Sequence, residues 1–307
     1  MSQAATTLSG APQQRDGAVN KRKARQNIAG LILPYGVISI FMAIAAVFMA
    51  APTVMLAVQS VTDDQGFTLK YLEALGDENI VTAFRNSIVL SVGSSAVGVV
   101  AGGLIAYFVL SPATPASVRS AVTSFSAVAA NFAGVPLAFA FVSTLGTLGM
   151  LTQGLRGLGI DIYGLGFSLF SITGLTIVYA YFQIPLMVII ITPALLALRT
   201  EWRESSENLG ATPGQYWRMI GLPVLMPSLI SSFILLFGSA FSAYATAYAL
   251  TSGNIALLTT EIANVLSGDV SSSPQTGAAL SVGMIVVMIG VLMISAAFSN
   301  RASRWHK

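Results

Sequence analysis

Six long apolar runs that contain no Asp, Glu, Lys, Arg or His constrain this chain more than any other feature of its sequence. A helix needs about 20 predominantly apolar residues to cross the hydrocarbon core of a bilayer. The runs cover residues 33–58, 87–110, 120–145, 168–197, 229–250 and 277–299. Only 9% of the residues are charged, against about 25% in soluble domains. The sequence therefore predicts an all-α membrane protein with six transmembrane helices.

The segments outside these runs divide the chain into three parts. Residues 1–28 are polar and end near a basic run, and we predict a disordered cytoplasmic tail. Residues 29–300 form the predicted transmembrane domain, and residues 301–307 form a second short cytoplasmic tail. The basic run, Lys21–Arg25, matches a nuclear-localisation pattern, but the adjacent first span favours a membrane anchor.

The basic residues predict the orientation of the chain. With the N-terminus in the cytoplasm, twelve of the fifteen Lys and Arg residues fall in cytoplasmic segments. Only Lys70, Arg85 and Arg156 fall outside. Cytoplasmic loops carry such an excess of basic residues, so we predict that both termini face the cytoplasm. The net charge of +3 then reflects topology, and no nucleic-acid partner is expected.

The composition excludes several chemistries. The chain has no cysteine and its single histidine, His306, lies next to the C-terminus, so we expect no metal site and no catalytic residue. A P-loop needs Gly-Lys-Ser/Thr, and no lysine here is preceded by Gly or followed by Ser or Thr. The chain is therefore not expected to hydrolyse ATP. Proton coupling usually needs a titratable side chain within a span, whereas sodium coupling through carbonyl and hydroxyl oxygens stays open.

Small residues and prolines within the predicted spans indicate how the helices pack. Gly98 and Gly102 have the G-x-x-x-G spacing that permits close helix packing. Prolines are tolerated in spans where neighbouring groups satisfy the freed carbonyls. They occur at positions 52, 136, 185 and 193.

A polar insert, residues 198–227, separates the fourth and fifth spans. A helix from about residue 198 is expected to end at Gly210, which suits a left-handed residue. Thr212 followed by Gln215 three residues later predicts a capping box. The box would open a short second helix, residues 213–220, which we expect to end at residues 221–223.

The insert carries a motif that resembles the cytoplasmic signature of binding-protein-dependent ABC importer permeases. That signature reads E-A-A, three residues, G, nine residues, I, one residue and L-P. The matching residues here are Glu204, Ser205, Ser206, Gly210, Ile220, Leu222 and Pro223. Serine replaces both alanines and is small enough to keep the packing close, although helix propensity falls slightly. The six-span layout also matches, so the resemblance covers about residues 30–300.

The resemblance implies a type I importer permease fold in the inner membrane, with a coupling helix between helices 4 and 5. It implies two cytoplasmic ABC ATPase subunits that bind ATP and Mg, a second permease, identical or homologous, and an external solute-binding protein. Trp202, Tyr216 and Trp217 add the aromatic anchors that helix-in-groove docking uses. The alternative is an amphipathic loop that lies on the lipid headgroups.

A translocation path must come from the spans. Polar or aromatic residues at helical spacing could line it and hold a cation, or they could serve helix packing alone. These candidates are Asn131, Tyr179, Gln183, Phe237, Phe241, Tyr244 and Tyr248. A helix-like stretch in the last outer loop, residues 257–266, would close the outer mouth, contact a delivering protein or lie at the membrane interface.

The sequence favours a polyamine as the solute. The run Gly277–Ser281 resembles spermidine/putrescine-type permeases, although relatives in fold handle iron, phosphonates, thiamine, sulfate and molybdate. Two other functions remain open at this point. One is a stand-alone ion-coupled carrier or channel, and the other is a membrane scaffold that recruits a cytoplasmic partner.

Overall fold

The computed structural model describes residues 38–63, 66–267 and 274–302, with side chains described up to residue 297. The predicted tail 1–28 and residues 303–307 of the second tail lie outside this part. Within it, six helical segments are long and apolar enough to cross a membrane, which confirms the predicted number of spans. These segments are Ile38–Gln59, Glu78–Val109, Val135–Gly157, Ile172–Leu196, Pro213–Phe241 and Pro274–Ala297.

The first part of the described chain comprises one span and a short connection. Helix α1, Ile38–Gln59, is uncharged and has a mean hydropathy of 2.3. A small antiparallel hairpin follows, in which β1, Thr62–Asp63, pairs with β2, Gly66–Phe67. Helix α2, Lys70–Glu73, and a 3₁₀ turn then lead to the second span.

The other helices alternate between long spans and short connecting segments. The elements are α3 (Glu78–Val97), a π turn (Gly98–Gly102), α4 (Gly103–Val109), α5 (Ala116–Ala129), α6 (Val135–Leu145), α7 (Met150–Gly157), α8 (Ile172–Leu196), α9 (Thr200–Asn208), α10 (Pro213–Tyr216), a second π turn (Trp217–Gly221), α11 (Leu222–Phe241), α12 (Ala245–Thr251), α13 (Leu258–Leu266) and α14 (Pro274–Ala302).

Helix α8 lies at the centre of the packing and contacts α3, α4, α5 and α11. It is apolar on all sides, as expected for a helix surrounded by other helices. Its residues Leu175, Val178 and Phe182 belong to the largest buried cluster. Pro185 and Pro193 lie inside the helix, which confirms that these prolines are tolerated there.

Two glycines let the second span approach its neighbours closely. A Cβ at Gly102 would lie 2.6 Å from both the Ile184 carbonyl oxygen and Met187 Cβ of α8. A Cβ at Gly98 would lie 2.7 Å from Leu236 Cδ2 of α11. The close packing predicted from the G-x-x-x-G spacing is therefore confirmed, and both glycines belong to a π turn, a feature often found at functional sites.

The prediction of one continuous third span over residues 120–145 is wrong. Helix α5 ends at Ala129 and α6 begins at Val135, with Gly134 at a φ of 77° between them. Pro136 favours the break, because it donates no backbone hydrogen bond and its ring would crowd the carbonyl of residue 132 in a continuous helix. It begins a helix here instead of lying inside one.

The predicted fifth span, residues 229–250, also has different bounds. Its helix ends at Phe241, and α12 follows after a turn. The two breaks are joined directly, since the Gly134 N–H donates to Thr246 Oγ1 at 2.8 Å. The Tyr179 hydroxyl of α8 donates to the Ala243 carbonyl at 2.9 Å. Backbone groups freed by the breaks thus find partners within the protein.

We expect Gly102→Ala to lower the free energy of unfolding by about 1–3 kcal/mol, because the new methyl group would overlap α8 and force the helices apart. Gly154→Ala in α7 is the matched control, since a Cβ there meets nothing within 4 Å. It should be neutral or stabilise by up to about 1 kcal/mol. Thermal unfolding in detergent measures both variants, and equal effects would contradict the close packing of α3 on α8.

Candidate docking site and translocation path

The polar insert folds as two short helices joined by a tight turn. Helix α9 ends in a Schellman motif, in which the Ala211 N–H bonds to the Ser206 carbonyl and the Gly210 N–H bonds to the Glu207 carbonyl. Gly210 has a φ of 80°, which confirms the predicted left-handed residue. A Cβ there would meet nothing within 4 Å, so the backbone conformation and not lack of space requires glycine.

The predicted capping box opens α10. Gln215 Oε1 accepts from the Thr212 N–H at 2.7 Å, and Thr212 Oγ1 accepts from the Gln215 N–H at 3.4 Å. Both bonds satisfy donors that the first turn of a helix leaves free. The box is confirmed, and it fixes the angle at which the chain leaves the turn.

The predicted end of the second helix at residues 221–223 is wrong. Helix α10 continues through a π turn into α11, so one helical segment runs from Pro213 to Phe241. The Leu222 N–H bonds to the Trp217 carbonyl, five residues back. This widened turn immediately precedes Pro223, whose ring would otherwise crowd the preceding turn. The insert and the fifth span are therefore mechanically continuous.

Some of the motif residues are exposed, and others line a groove. Glu204, Leu222 and Pro223 are exposed. Ser205, Ser206 and Ile220 line a groove of about 350 Å³ between α9 and α11. Three further residues complete the lining: Trp202, Leu209 and Val224.

Trp217 connects the insert to the second span. Its ring meets Tyr107 of α4 edge-on, with 4.9 Å between ring centroids and 89° between planes. It also packs edge-on against the buried Tyr216. A Cβ at Gly221 would lie 2.8 Å from Trp217 Cε3, so glycine allows the ring to lie against its own helix. No motif in the sequence indicates a role for Tyr107. The one feature that could have pointed to it is its position as an aromatic residue near the end of a span.

The charged side chains on α9 are exposed, and they interact only weakly with their neighbours. Arg203 Nε and Glu207 Oε1 form an ion pair at 2.9 Å, and the hydrogen bond from this pair raises the pKa of the Arg203 guanidinium. An exposed pair at this spacing is worth about 0.3–0.5 kcal/mol. The Arg199 guanidinium lies 5.9 Å from the centroid of the Trp202 ring. These charges keep α9 soluble and contribute little to its stability.

Four of the candidate path residues are buried between helices. Tyr179 supports the break in the fifth span through its hydroxyl. Gln183 Nε2 donates to Ser94 Oγ at 2.8 Å, while its Oε1 forms no hydrogen bond within the described structure. Phe237 and Phe241 stack at 5.3 Å and are 2% exposed. In this conformation all four contribute to helix packing.

The other three candidates lie at the paired breaks. Tyr244 and Tyr248 stack at 5.2 Å and keep 37% and 44% of their surfaces exposed. The sequence predicted Asn131 within the third span. It lies instead in the break after α5, where its Nδ2 donates to the Ala127 carbonyl. The Gly134–Thr246 bond holds the two breaks together. Exposed polar and aromatic groups thus converge where two spans are interrupted.

The helix predicted in the last outer loop is confirmed as α13. The Leu258 N–H donates to Ser87 Oγ at 2.8 Å, and Asn86 Nδ2 donates to the Ala256 carbonyl at 3.0 Å. Leu258 is buried in a cluster with Phe237 and residues of α14. Partial burial raises the pKa of the Glu261 carboxyl on this helix. Helix α13 is therefore fixed to the second span.

The fold and the insert define the class of the protein: a multi-pass membrane protein whose polar helical insert continues directly into a span. The sequence profile of the family described as "Binding-protein-dependent transport system inner membrane component" matches residues 98–304. This match covers more than half of the chain, and the chain belongs to that family.

Curated relatives resemble parts of the chain. The molybdenum transport system permease protein ModB of Mycobacterium bovis is 24% identical over 160 residues, which are 52% of this chain and 56% of that protein. The spermidine/putrescine transport system permease protein PotC homolog of Mycoplasma genitalium is 29% identical over 111 residues, which are 36% of this chain and 37% of that protein. The matched part thus spans about half or less of each relative.

A solved structure resembles nearly the whole chain. It is a bacterial ABC transporter involved in the import of the acidic polysaccharide alginate, with a TM-score of 0.70 and 18% identity. The similarity covers 91% of this chain and 99% of that chain. At this identity the likeness concerns the fold, and it confirms the predicted importer-permease architecture.

We expect Tyr107→Ala and Trp217→Ala to be non-additive in the free energy of unfolding, with a coupling of about 0.5–1.5 kcal/mol, because the two rings contact each other. Phe125→Ala, an exposed ring on α5, should be additive with Trp217→Ala. Thermal unfolding of single and double variants gives both values. Additivity of the Tyr107 and Trp217 variants would contradict the contact.

Proposed function

We propose that the chain is the permease subunit of an ATP-driven importer and forms the path for a small solute delivered by an external binding protein. The observation that carries the proposal is the insert. The insert carries the motif with its complete spacing. It folds as α9 and the capped helix α10, and α10 continues into the fifth span. Membership in a family of binding-protein-dependent transport components supports this function.

The docking element would bind a cytoplasmic ABC ATPase. Two such subunits would bind ATP and Mg, and a second permease, identical or homologous, would complete the path. Both termini and the insert would then face the cytoplasm, in agreement with the distribution of basic residues. The exposed Glu204 and Met219 offer the mixed polar and apolar surface that helix-in-groove recognition uses.

Helical continuity gives the mechanism of coupling. Closure of the ATPases would displace α10, and because α10 and α11 form one helical segment, the displacement moves the fifth span directly. The Trp217–Tyr107 contact passes the same movement to α4 and so to the second span. Two spans would respond together, as alternating access requires.

The solute would pass the paired breaks. Interrupted spans commonly form transport sites, because irregular backbone is tolerated there only where it lines a cavity or is buried in protein. Tyr244, Tyr248 and Asn131 would line the path, while Tyr179 and Gln183 would support its wall. Phe237 and Phe241 would pack behind it. Stacked tyrosines suit an organic cation, so a polyamine remains the favoured solute.

The names of the relatives refer to different solutes. One concerns molybdenum, one spermidine and putrescine, and one the acidic polysaccharide alginate. An external binding protein would therefore supply most of the selectivity, and the permease would need only modest affinity for its solute.

Gly210→Asp and Glu204→Lys should each lower uptake and ATPase stimulation roughly tenfold, since both lie at the centre of the proposed interface. Membrane insertion should persist. Gly159→Asp is the matched control, since Gly159 is exposed, has a φ of 82° close to that of Gly210 and lies outside the six spans. Normal uptake by both docking variants, or uptake by the reconstituted single chain driven by an ion gradient, would argue against the proposal.

Tyr244→Ala and Tyr248→Ala should lower uptake roughly tenfold while ATPase binding is retained, because each removes an aromatic contact of about 0.5–2 kcal/mol with a cationic solute. The control is Phe139→Ala, an exposed ring on α6. Uptake of labelled spermidine and co-purification of the ATPase measure the two effects. Unchanged uptake in both tyrosine variants would show that Tyr244 and Tyr248 do not line the path.

A further inference from the structure

The polar insert, residues 198–227, is expected to dock by projecting into a groove of the ATPase. It also has a groove of its own, which lies between α9 and α11. It has a volume of about 350 Å³, which falls in the range of about 300–1,000 Å³ found for ligand pockets. Its walls are the Trp202 ring, Ile220 and Val224. Leu209 lies at its edge with 88% of its surface exposed.

The groove is apolar despite its two serines. Ser206 is buried, and its hydroxyl donates to the Arg203 carbonyl at 2.7 Å, so its donor is already used within α9. Ser205 is exposed at the side of the groove. Small side chains at these two positions leave the volume open, and a larger residue at either would occupy it.

The motif residues converge on this cavity. Three of the seven, Ser205, Ser206 and Ile220, line it, and Leu209 precedes the motif glycine. The small side chains of Ser205 and Ser206 leave this volume open, and it is accessible to a group from outside the chain.

We propose that this groove receives a large apolar side chain of the ATPase, so that the two proteins interlock in both directions. This inference rests on the proposed function. The groove is continuous with the proposed docking surface and lies in the polar insert, where Glu201, Glu204 and Glu207 expose charge to water. A lipid tail is disfavoured in such surroundings, whereas an apolar side chain would bury both itself and the exposed Leu209.

Ser205→Phe in the full chain fills the groove from an exposed position and should weaken ATPase binding roughly tenfold, the effect of losing one well-packed anchor. Asn208→Phe is the matched control, since it adds the same ring to α9 outside the groove and should leave binding unchanged. Leu209→Ser, at a fully accessible position, should weaken binding in the same direction. Affinity for the ABC ATPase that co-purifies with the wild-type chain is measured together with the unfolding temperature.

A photo-crosslinking phenylalanine analogue at Ser205 then identifies the occupant. An adduct with an apolar residue of the ATPase supports the inference, and an adduct with lipid or with residues 1–37 overturns it. If the wild-type chain binds the ATPase and Ser205→Phe binds it equally well, the groove is not used but the proposed function stands. If the wild-type chain binds no ATPase, both fail.

Discussion

The architecture depends on one constraint, which is that backbone polar groups within the hydrocarbon must find partners inside the protein. Continuous helices without an internal proline, such as α3, meet it through their own backbone hydrogen bonds. The chain is broken before the third span, at residues 130–134, and after the fifth, at residues 242–244, where the Gly134–Thr246 and Tyr179–Ala243 hydrogen bonds satisfy backbone groups. The first of these bonds joins the two breaks, and the exposed Tyr244 and Tyr248 flank Thr246 in the chain. The same structural requirement therefore fixes the position of the breaks at which we propose that the solute passes.

Helical continuity connects the polar insert to the fifth span. A π turn accommodates Pro223, so the helix that starts at the capping box does not stop before the fifth span. The other π turn, in the second span, lies where Gly98 and Gly102 press against α8 and α11. Trp217 and Tyr107 join the segments that follow these two turns. Both widened turns therefore lie in the helical segments that join the insert to the packed core.

The number of spans and the local structure of the insert were predictable from the sequence, because their causes are local. Gly210, Thr212 and Gln215 act through bonds to their own neighbours, and an uncharged run of 20 residues can hardly avoid forming a span. The break before Pro136 has a local signal in Gly134 and Pro136, but prolines also lie inside α8, so the sequence does not show which prolines interrupt a helix. The break after Phe241 has no such signal, since apolarity alone does not distinguish a continuous helix from two short ones. The contact between Trp217 and Tyr107 joins residues far apart in sequence. The groove lies within the insert, between residues 202 and 224, but its shape depends on how α9 lies relative to α11. No local sequence pattern carries that information.

The central claim is that the insert faces the cytoplasm and is covered there by an ATPase. The chain has no cysteine, so Met219→Cys provides a single reporter at a position of the proposed interface that is 74% exposed. A membrane-impermeant maleimide should label it in inside-out vesicles only, and addition of the ATPase should protect it. Labelling in right-side-out vesicles, or full labelling in the presence of a bound ATPase, would contradict the account.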